Sequence, residues 1–139
     1  MADPLNSALA SSIAALRAQS TRLRVVSENL ANANATASTP GGDPYARKTV
    51  SFKSELDRAS GATIVTINSI ARDNSPFRLQ YDPGHPAADA NGNVKLPNVE
   101  PLIELSDMRE AHRSYDANLQ IIRQSRGMIS DLIDLMRGK

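Results

Sequence analysis

The stretch NLANANATAS, residues 29–38, marks the place where the sequence changes from one structural pattern to another. Before it, residues 4–33 contain no glycine and a single proline, Pro4, which the first turn of a helix tolerates. The stretch itself alternates asparagine with alanine. Asparagine side chains can bond backbone groups at a helix end, and alanine lets neighbouring segments approach closely. The sequence therefore predicts a long helix that ends here.

Leucine recurs every seventh residue along this first helix. The other heptad position of the same stripe is occupied by polar residues at two of its four occurrences. The leucines are Leu9, Leu16, Leu23 and Leu30, and the adjoining positions are Leu5, Ser12, Gln19 and Val26. A repeat of 3.5 residues favours supercoiling with another helix. Because the stripe has little apolar area, we expect this helix to depend on a partner for its stability.

The middle of the chain, residues 34–97, is broken by turn-forming residues and contains six of the eight prolines and five of the seven glycines. Between them lie short runs with β character, at residues 48–52, 62–70 and 77–82. Asn91-Gly92, flanked by ADA and NVKL, is typical of a type I′ hairpin turn. This region is predicted to be a small, irregular β-rich module.

A second long helix is predicted over residues 98–137, with Asn98 as N-cap and Pro101 in the first turn. Its apolar seam recurs at alternating intervals of four and three residues, and a second apolar strip runs beside the seam. The apolar face is therefore wider than one partner helix can cover. The seam is Met108, His112, Tyr115, Leu119, Ile122, Arg126, Ile129, Ile133 and Met136, and the strip is Ile121, Met128, Leu132 and Leu135. The predicted fold is mainly α, with terminal helices that pair as a coiled coil around a β-rich insertion.

Composition excludes several classes of protein. Sixteen basic and fifteen acidic residues leave a net charge of +1, without the basic excess of a general nucleic-acid binder. The absence of cysteine excludes disulfides, thiolate metal sites and a cysteine nucleophile. No segment is apolar and long enough for membrane insertion, and the first residues do not resemble a secretory signal.

The sequence contains no arrangement of residues typical of a catalytic site. His85 lies in a loop, and His112 lies on the helix seam with no second histidine to complete a metal site. The spacing of an EF-hand calcium loop is nearly matched, but Val94 stands where that loop requires glycine. The residues with that spacing are Asp89, Asn91, Asn93 and Glu100. We therefore expect no enzymatic activity, no cofactor and no metal.

The patterning leaves two interpretations open. A monomeric helical hairpin with a β extension accounts for the predicted elements. A self-assembling structural subunit also accounts for the excess apolar face of the second helix, because such a face needs cover. We favour assembly on that ground.

Four segments resemble bacterial flagellar axial proteins. LRVVSENLANANATAS (23–38) resembles their N-terminal signature, in which a leucine-rich helix runs into the motif NLANanT, and REAHRSYDANLQIIRQSRGMISDLIDL (109–135) resembles the C-terminal one. GGDPYARKTVSF (41–52) and GNVKLPNVEP (92–101) are similar to the FlgC type of proximal-rod protein within that superfamily. In several rod and hook proteins a glycine-aromatic pair follows the N-terminal signature. This chain lacks that pair, and FlgC-type chains commonly lack it too.

The resemblance implies a structural subunit of the basal-body proximal rod, in the periplasmic space. Such proteins assemble with copies of themselves and other rod proteins to form the drive shaft, and their terminal helices form the inner, D0-like tube around the export channel. They are exported through the flagellar type III export apparatus without a cleaved signal. The resemblance also implies that Asn29, Asn32 and Asn34 form the joint between the inner helix and the β module.

The residues expected to pack between helices or subunits are Leu9, Leu16, Leu23, Leu30, Tyr115, Leu119, Ile122, Ile129 and Ile133. The alternative is a soluble helical adaptor or regulator of the flagellar export apparatus, which would bind its partner through the C-terminal helix. That alternative predicts a helical, protease-resistant C-terminus in the free protein, whereas the rod interpretation predicts early clipping of both termini.

Overall fold

A computed structural model describes residues 4–138. Two long helices enclose four strands that form two separate antiparallel pairs. The elements in chain order are α1 (Pro4–Ala31), β1 (Lys48–Leu56), β2 (Thr63–Arg72), β3 (Arg78–Tyr81), β4 (Asn93–Leu96) and α2 (Pro101–Met136). The prediction of two long terminal helices around a small β module is confirmed.

The two helices pack side by side in opposite directions. Asn29, near the end of α1, bonds Glu104 in the first turns of α2, whereas Leu5 at the start of α1 shares a surface recess with Ile121 and Met128. Since α2 has 36 residues and α1 has 28, the last two turns of α2 extend past the beginning of α1. We call this segment, residues 129–136, the α2 overhang.

The side of α2 that faces α1 differs from the predicted seam at two positions, His112 and Arg126. The buried residues are Glu104, Ala111, Ile122 and Ser125, whereas His112 and Arg126, both placed on the predicted seam, are exposed. A small residue beside each of them, Ala111 and Ser125, takes its place. Small side chains let the helix axes approach closely, and the charged ends of long side chains stay in water. The seam prediction was wrong at these positions.

Strands β1 and β2 form a hairpin that lies along α1. The Ser7 hydroxyl donates to the Ser60 carbonyl at 2.9 Å, and the Ser11 hydroxyl to the Thr63 carbonyl at 3.4 Å. The register shifts between Ser51 and Phe52, which marks a β-bulge. The predicted strand runs at residues 48–52, 62–70 and 77–82 are confirmed, since they overlap β1, β2 and β3 respectively.

The turn at Asn91-Gly92 differs from its prediction. A type I′ turn needs positive φ at both central residues, but only Gly92 has it, at +79°. The turn instead spans Asp89 to Gly92, with the Gly92 N–H donating to the Asp89 carbonyl at 3.0 Å. The Asp89 carboxylate accepts the N–H groups of Asn91 and Asn93 at 2.8 and 2.9 Å. Strand β4 then pairs with β3, and not with the preceding ADA segment.

Helix α2 begins at Pro101 with Glu100 in the N-cap position. The prediction of Asn98 as the N-cap was wrong, because the Asn98 side chain bonds other segments. Over residues 4–138, neither helix combines the length and the apolar character needed to cross a bilayer.

Candidate functional site at the helix–strand junction

The end of α1 is fixed to the rest of the chain through Asn29, whose side chain is buried and makes four hydrogen bonds. Its amide nitrogen donates to the Lys48 carbonyl at 2.9 Å and to Glu104 Oε2 at 3.0 Å. Its amide oxygen accepts the Tyr45 hydroxyl at 2.8 Å and the Lys48 N–H at 2.9 Å. One amide therefore joins α1, the start of β1 and α2, and uses its full bonding capacity on each side.

Glu104 brings a charge into this junction and is fully buried. Its second oxygen, Oε1, accepts the Nε–H of Arg47 at 2.5 Å. The same guanidinium lies 3.6 Å from carboxylate oxygens of Asp73 and of Asp107, and Asp107 also accepts from Arg22 of α1 at 3.2 Å. A buried carboxylate is tolerated only when it is paired and hydrogen-bonded, and Arg47 with Asn29 meets that condition.

The pKa of Arg47 reflects this environment. Burial lowers the pKa of the guanidinium, but the hydrogen bond to Glu104 and the charges of Glu104, Asp73 and Asp107 outweigh it and raise the pKa above its usual value. Arg47 therefore remains charged throughout the neutral range.

A second amide, Asn98, fixes the segment before α2. Its oxygen accepts the Arg47 N–H at 2.8 Å. Its nitrogen donates to the carbonyls of Asp73 and Ser75, each at 3.1 Å. The residues that flank β1, β2 and α2 are thus bonded to one another, and the junction fixes where the β module sits relative to both helices.

Tyr45 contributes the third polar group. Burial, and the negative charges of Glu28 and Glu104, raise the pKa of its hydroxyl. The phenol therefore stays neutral and donates to Asn29 over the whole neutral range. Because its pKa is raised on folding, its contribution to stability is complete below the pKa of the unfolded chain, about 10, and is lost as pH rises through the folded value.

Replacement of Tyr45 by phenylalanine gives a measurable pH effect. We expect Tyr45→Phe to lower the free energy of unfolding by about 1 kcal/mol at pH 7, the usual contribution of one hydrogen bond. The difference from wild type should shrink above pH 10, as ionisation destabilises the wild-type chain alone. Urea unfolding at pH 7, 9 and 11 measures it. A gap that stays constant over this range would contradict the role assigned to the phenol.

The three asparagines of the predicted joint lie in different environments. Asn29 is buried at the junction, and Asn32 is half-buried with its amide donating to the Glu28 carbonyl at 2.8 Å, at the end of α1. Asn34 is exposed. Sequence reasoning missed Arg47 and Glu104, and it gave Asn98 a capping role that the structure does not show. One signal was present, since Glu104 lies four residues before Met108 and so continues the seam with a charge that needs a partner.

The residues predicted to pack between helices or subunits differ in how far they are buried. Ile122 is buried and Ile133 at the overhang is 43% exposed. The others are half-buried, namely Leu9, Leu16, Leu23, Leu30, Tyr115, Leu119 and Ile129. In a single chain these side chains are only partly covered.

The junction is structural in its chemistry, because its charged groups are committed to one another and to backbone groups. Over residues 4–138, no group of three or more histidine, aspartate or glutamate side chains is placed to hold a metal ion.

Comparison with known proteins places the chain in a family. A family model described as the flagellar basal body rod FlgEFG protein C-terminal region matches residues 90–135, which include β4 and nearly all of α2. The chain is 57% identical to the flagellar basal-body rod protein FlgC of Agrobacterium fabrum over 97% of both chains.

More distant relatives carry the same name. The FlgC protein of Salmonella typhimurium is 41% identical over 87% of this chain and 90% of its own length. That of Bacillus subtilis is 37% identical over 89% and 93%. The chain therefore belongs to the FlgC family of flagellar basal-body rod proteins, which are structural subunits of the rod and not enzymes.

Proposed function

We propose that the chain is a subunit of the proximal rod, where it assembles with copies of itself and with other rod proteins into the drive shaft around the export channel. In this proposal residues 4–33 and 98–137 form a D0-like coiled coil in the inner tube. Residues 34–97 lie outside it and contact neighbouring subunits. The chain reaches the periplasmic space through the flagellar type III export apparatus, without a cleaved signal peptide and without insertion into a membrane.

The observation that carries this proposal is the α2 overhang. Leu132, Ile133, Leu135 and Met136 are 55, 43, 73 and 88% exposed. A turn and a half of helix with four large apolar side chains in water is unfavourable, and contiguous apolar surface of this kind marks an interaction site. A subunit that finds its neighbours only in the rod would leave this surface uncovered in the single chain.

The contact between the helices supports export in an unfolded form. Ser12 and Ser125 are buried there, and the Gln19 side-chain oxygen is buried without a hydrogen-bond partner among residues 4–138. Small and polar side chains contribute less to stability than leucine or isoleucine would, and an unsatisfied buried oxygen costs free energy. The contact between the helices is therefore less stable than one formed by leucine and isoleucine, and neighbouring subunits stabilise it after assembly by mass action.

The junction supports a mechanical role. Asn29, Asn98 and the Arg47–Glu104 pair join both helices to the β module through directional bonds. A buried polar network fixes one geometry, because a shifted arrangement would leave its members unpaired. A rigid connection between inner and outer parts is what a shaft that transmits torque needs from each subunit.

The test is mass spectrometry of purified hook–basal bodies from the native host, after washing that removes loosely bound protein. We expect the chain at a few copies for each particle, far below the hook subunit. If it is missing from these particles and recovered intact in the cytosol, the rod proposal is wrong and the adaptor hypothesis takes its place.

A substitution in the overhang gives a sharper test. We expect Leu132→Asp to leave the fold of the free chain unchanged, because this side chain already lies in water, and to abolish swimming, because a charge in a packed contact between subunits costs several kcal/mol. Ser130→Asp, also exposed and two residues away, is the matched control and should swim. Motility in soft agar and circular dichroism measure the two effects. Normal swimming of Leu132→Asp would contradict the proposal.

A further inference from the structure

The turn before β4 contains the dipeptide Asn91-Gly92, which is chemically reactive in an unfolded chain. There the backbone nitrogen of the following residue attacks the side-chain carbon of an asparagine, and glycine hinders this attack least because it has no side chain. Asn91 is the only asparagine of the chain that precedes a glycine. It is also exposed, so water reaches its side chain. The dipeptide is therefore the place where spontaneous deamidation is easiest.

The folded turn holds the attacking nitrogen in a hydrogen bond. The Gly92 N–H donates to the Asp89 carbonyl at 3.0 Å, and Gly92 is buried although Asn91 is exposed. For the attack, this nitrogen has to lose its proton and to approach the Asn91 side chain. Both steps break the bond to Asp89, so the turn has to open before the reaction begins.

The Asp89 side chain opposes this opening. Its Oδ1 accepts the N–H groups of Asn91 and Asn93 at 2.8 and 2.9 Å. The Asp89 N–H in turn donates to the Asn93 carbonyl at 2.9 Å. One aspartate therefore bonds the backbone on both sides of Gly92, and hydrogen bonds to a charged acceptor are stronger than those between neutral groups. These bonds keep the turn closed in the folded chain.

The fold requires glycine at position 92, although glycine makes the preceding asparagine reactive. Gly92 has a φ of +79°, which strains residues that carry a side chain. A Cβ there would also lie 3.0 Å from Cε2 of Tyr81 and 3.1 Å from Cβ of Pro83. The Gly92 carbonyl accepts the Asp82 N–H at 2.9 Å and so continues the pairing of β3 with β4. A larger residue would disturb this end of the hairpin.

We propose that Asn91 is the deamidation site of this chain, and that the turn formed by Asp89 suppresses the reaction while the chain is folded. The Gly92 nitrogen loses its proton to solvent and forms a bond to Asn91 Cγ. The bond from Cγ to the side-chain nitrogen breaks, and that nitrogen takes up a proton and leaves as ammonia. Water then opens the resulting succinimide at either carbonyl, which gives aspartate or isoaspartate at position 91.

Modification of the unfolded chain has a consequence for folding. Isoaspartate at position 91 places one additional carbon in the backbone between the N–H groups of residues 91 and 93, which both bond Asp89 Oδ1. The two bonds cannot then form with their present geometry, so we expect the modified chain to fold without this turn. The reaction takes place in the single chain, and neither the reaction nor its suppression depends on assembly into the rod.

Deamidation rates of the folded and the unfolded chain test the proposal. The purified chain is kept at pH 8, without urea and in enough urea to unfold it, and is then digested briefly with trypsin. Mass spectrometry follows peptides 79–95 and 73–78, which contain Asn91 with Asn93 and Asn74 respectively. In urea we expect Asn91 to react fastest of the three. Without urea its rate should be lower by about tenfold or more, because the reaction waits for the turn to open.

Asp89→Ala should raise the rate at Asn91 severalfold in the folded chain, because it removes both side-chain bonds of the turn, and should change the rate in urea little. Asp116→Ala, exposed on α2, is the matched control and should behave like wild type. Equal wild-type rates at Asn91 with and without urea would overturn the inference, even if Asp89→Ala does not fold. So would faster deamidation of Asn74 or Asn93 in urea, or an unchanged rate in folded Asp89→Ala.

Discussion

Glu104→Ala is expected to destabilise the folded chain by about 3–5 kcal/mol, the usual cost of removing one partner of a buried ion pair. The glutamate is fully buried, and its removal leaves the Arg47 guanidinium without its 2.5 Å acceptor. It also leaves the amide of Asn29 with one donor unsatisfied. Since natural domains are stable by only about 5–15 kcal/mol, most of the stability is lost. Urea unfolding followed by circular dichroism measures the change.

Glu110→Ala supplies the control, since Glu110 is exposed on the same helix; we expect it to change stability by less than about 0.5 kcal/mol. Glu104→Gln should behave like the alanine variant, because it removes the charge that Arg47 needs and turns an amide towards that of Asn29. An unfolding midpoint of Glu104→Ala equal to that of wild type would show that the pair is not buried.

Asn29→Asp is expected to destabilise the chain by about 3 kcal/mol at pH 7 and to recover much of that loss in acid. The change keeps the shape of the side chain but replaces its donor nitrogen with an oxygen, which would lie about 3.0 Å from Glu104 Oε2. Two carboxylates at this distance cannot both ionise, so the pKa of one of them is raised. The folded variant then holds a proton that the unfolded chain has released.

The sign of this pH dependence follows from proton uptake. Where the folded state binds more protons than the unfolded state, stability falls as pH rises. The loss should therefore be small below the ordinary carboxyl pKa of about 4 and should grow as pH rises through the raised value. Urea unfolding at pH 4 and pH 7 measures the difference, with Asn34→Asp as an exposed control. A destabilisation independent of pH would mean that the introduced carboxylate does not face Glu104.

The helices and the strand runs could be predicted because each depends on the pattern of its own segment. Short segments of the sequence show the heptad leucines of α1, the apolar repeat of α2 and the alternation in β1 and β2. Within such segments, neighbours along the chain set the backbone conformation. The joint at Asn29, Asn32 and Asn34 stays a prediction, and the partners of the Asn29 side chain were not predicted.

The sequence alone determined two helices, their approximate ends, three of the four strands and the family of the protein. The tertiary structure decided the side of α2 that faces α1, the pairing of β4 with β3, the use of Asn98 away from the helix cap, and the burial of Glu104. These features join residues from 12 positions apart, at Tyr81 and Asn93, to 116 positions apart, at Leu5 and Ile121. Several alternative pairings satisfy the same local patterns. Burial selects among them, because a charge enters the interior only where its partners converge, and that convergence exists only in the folded chain.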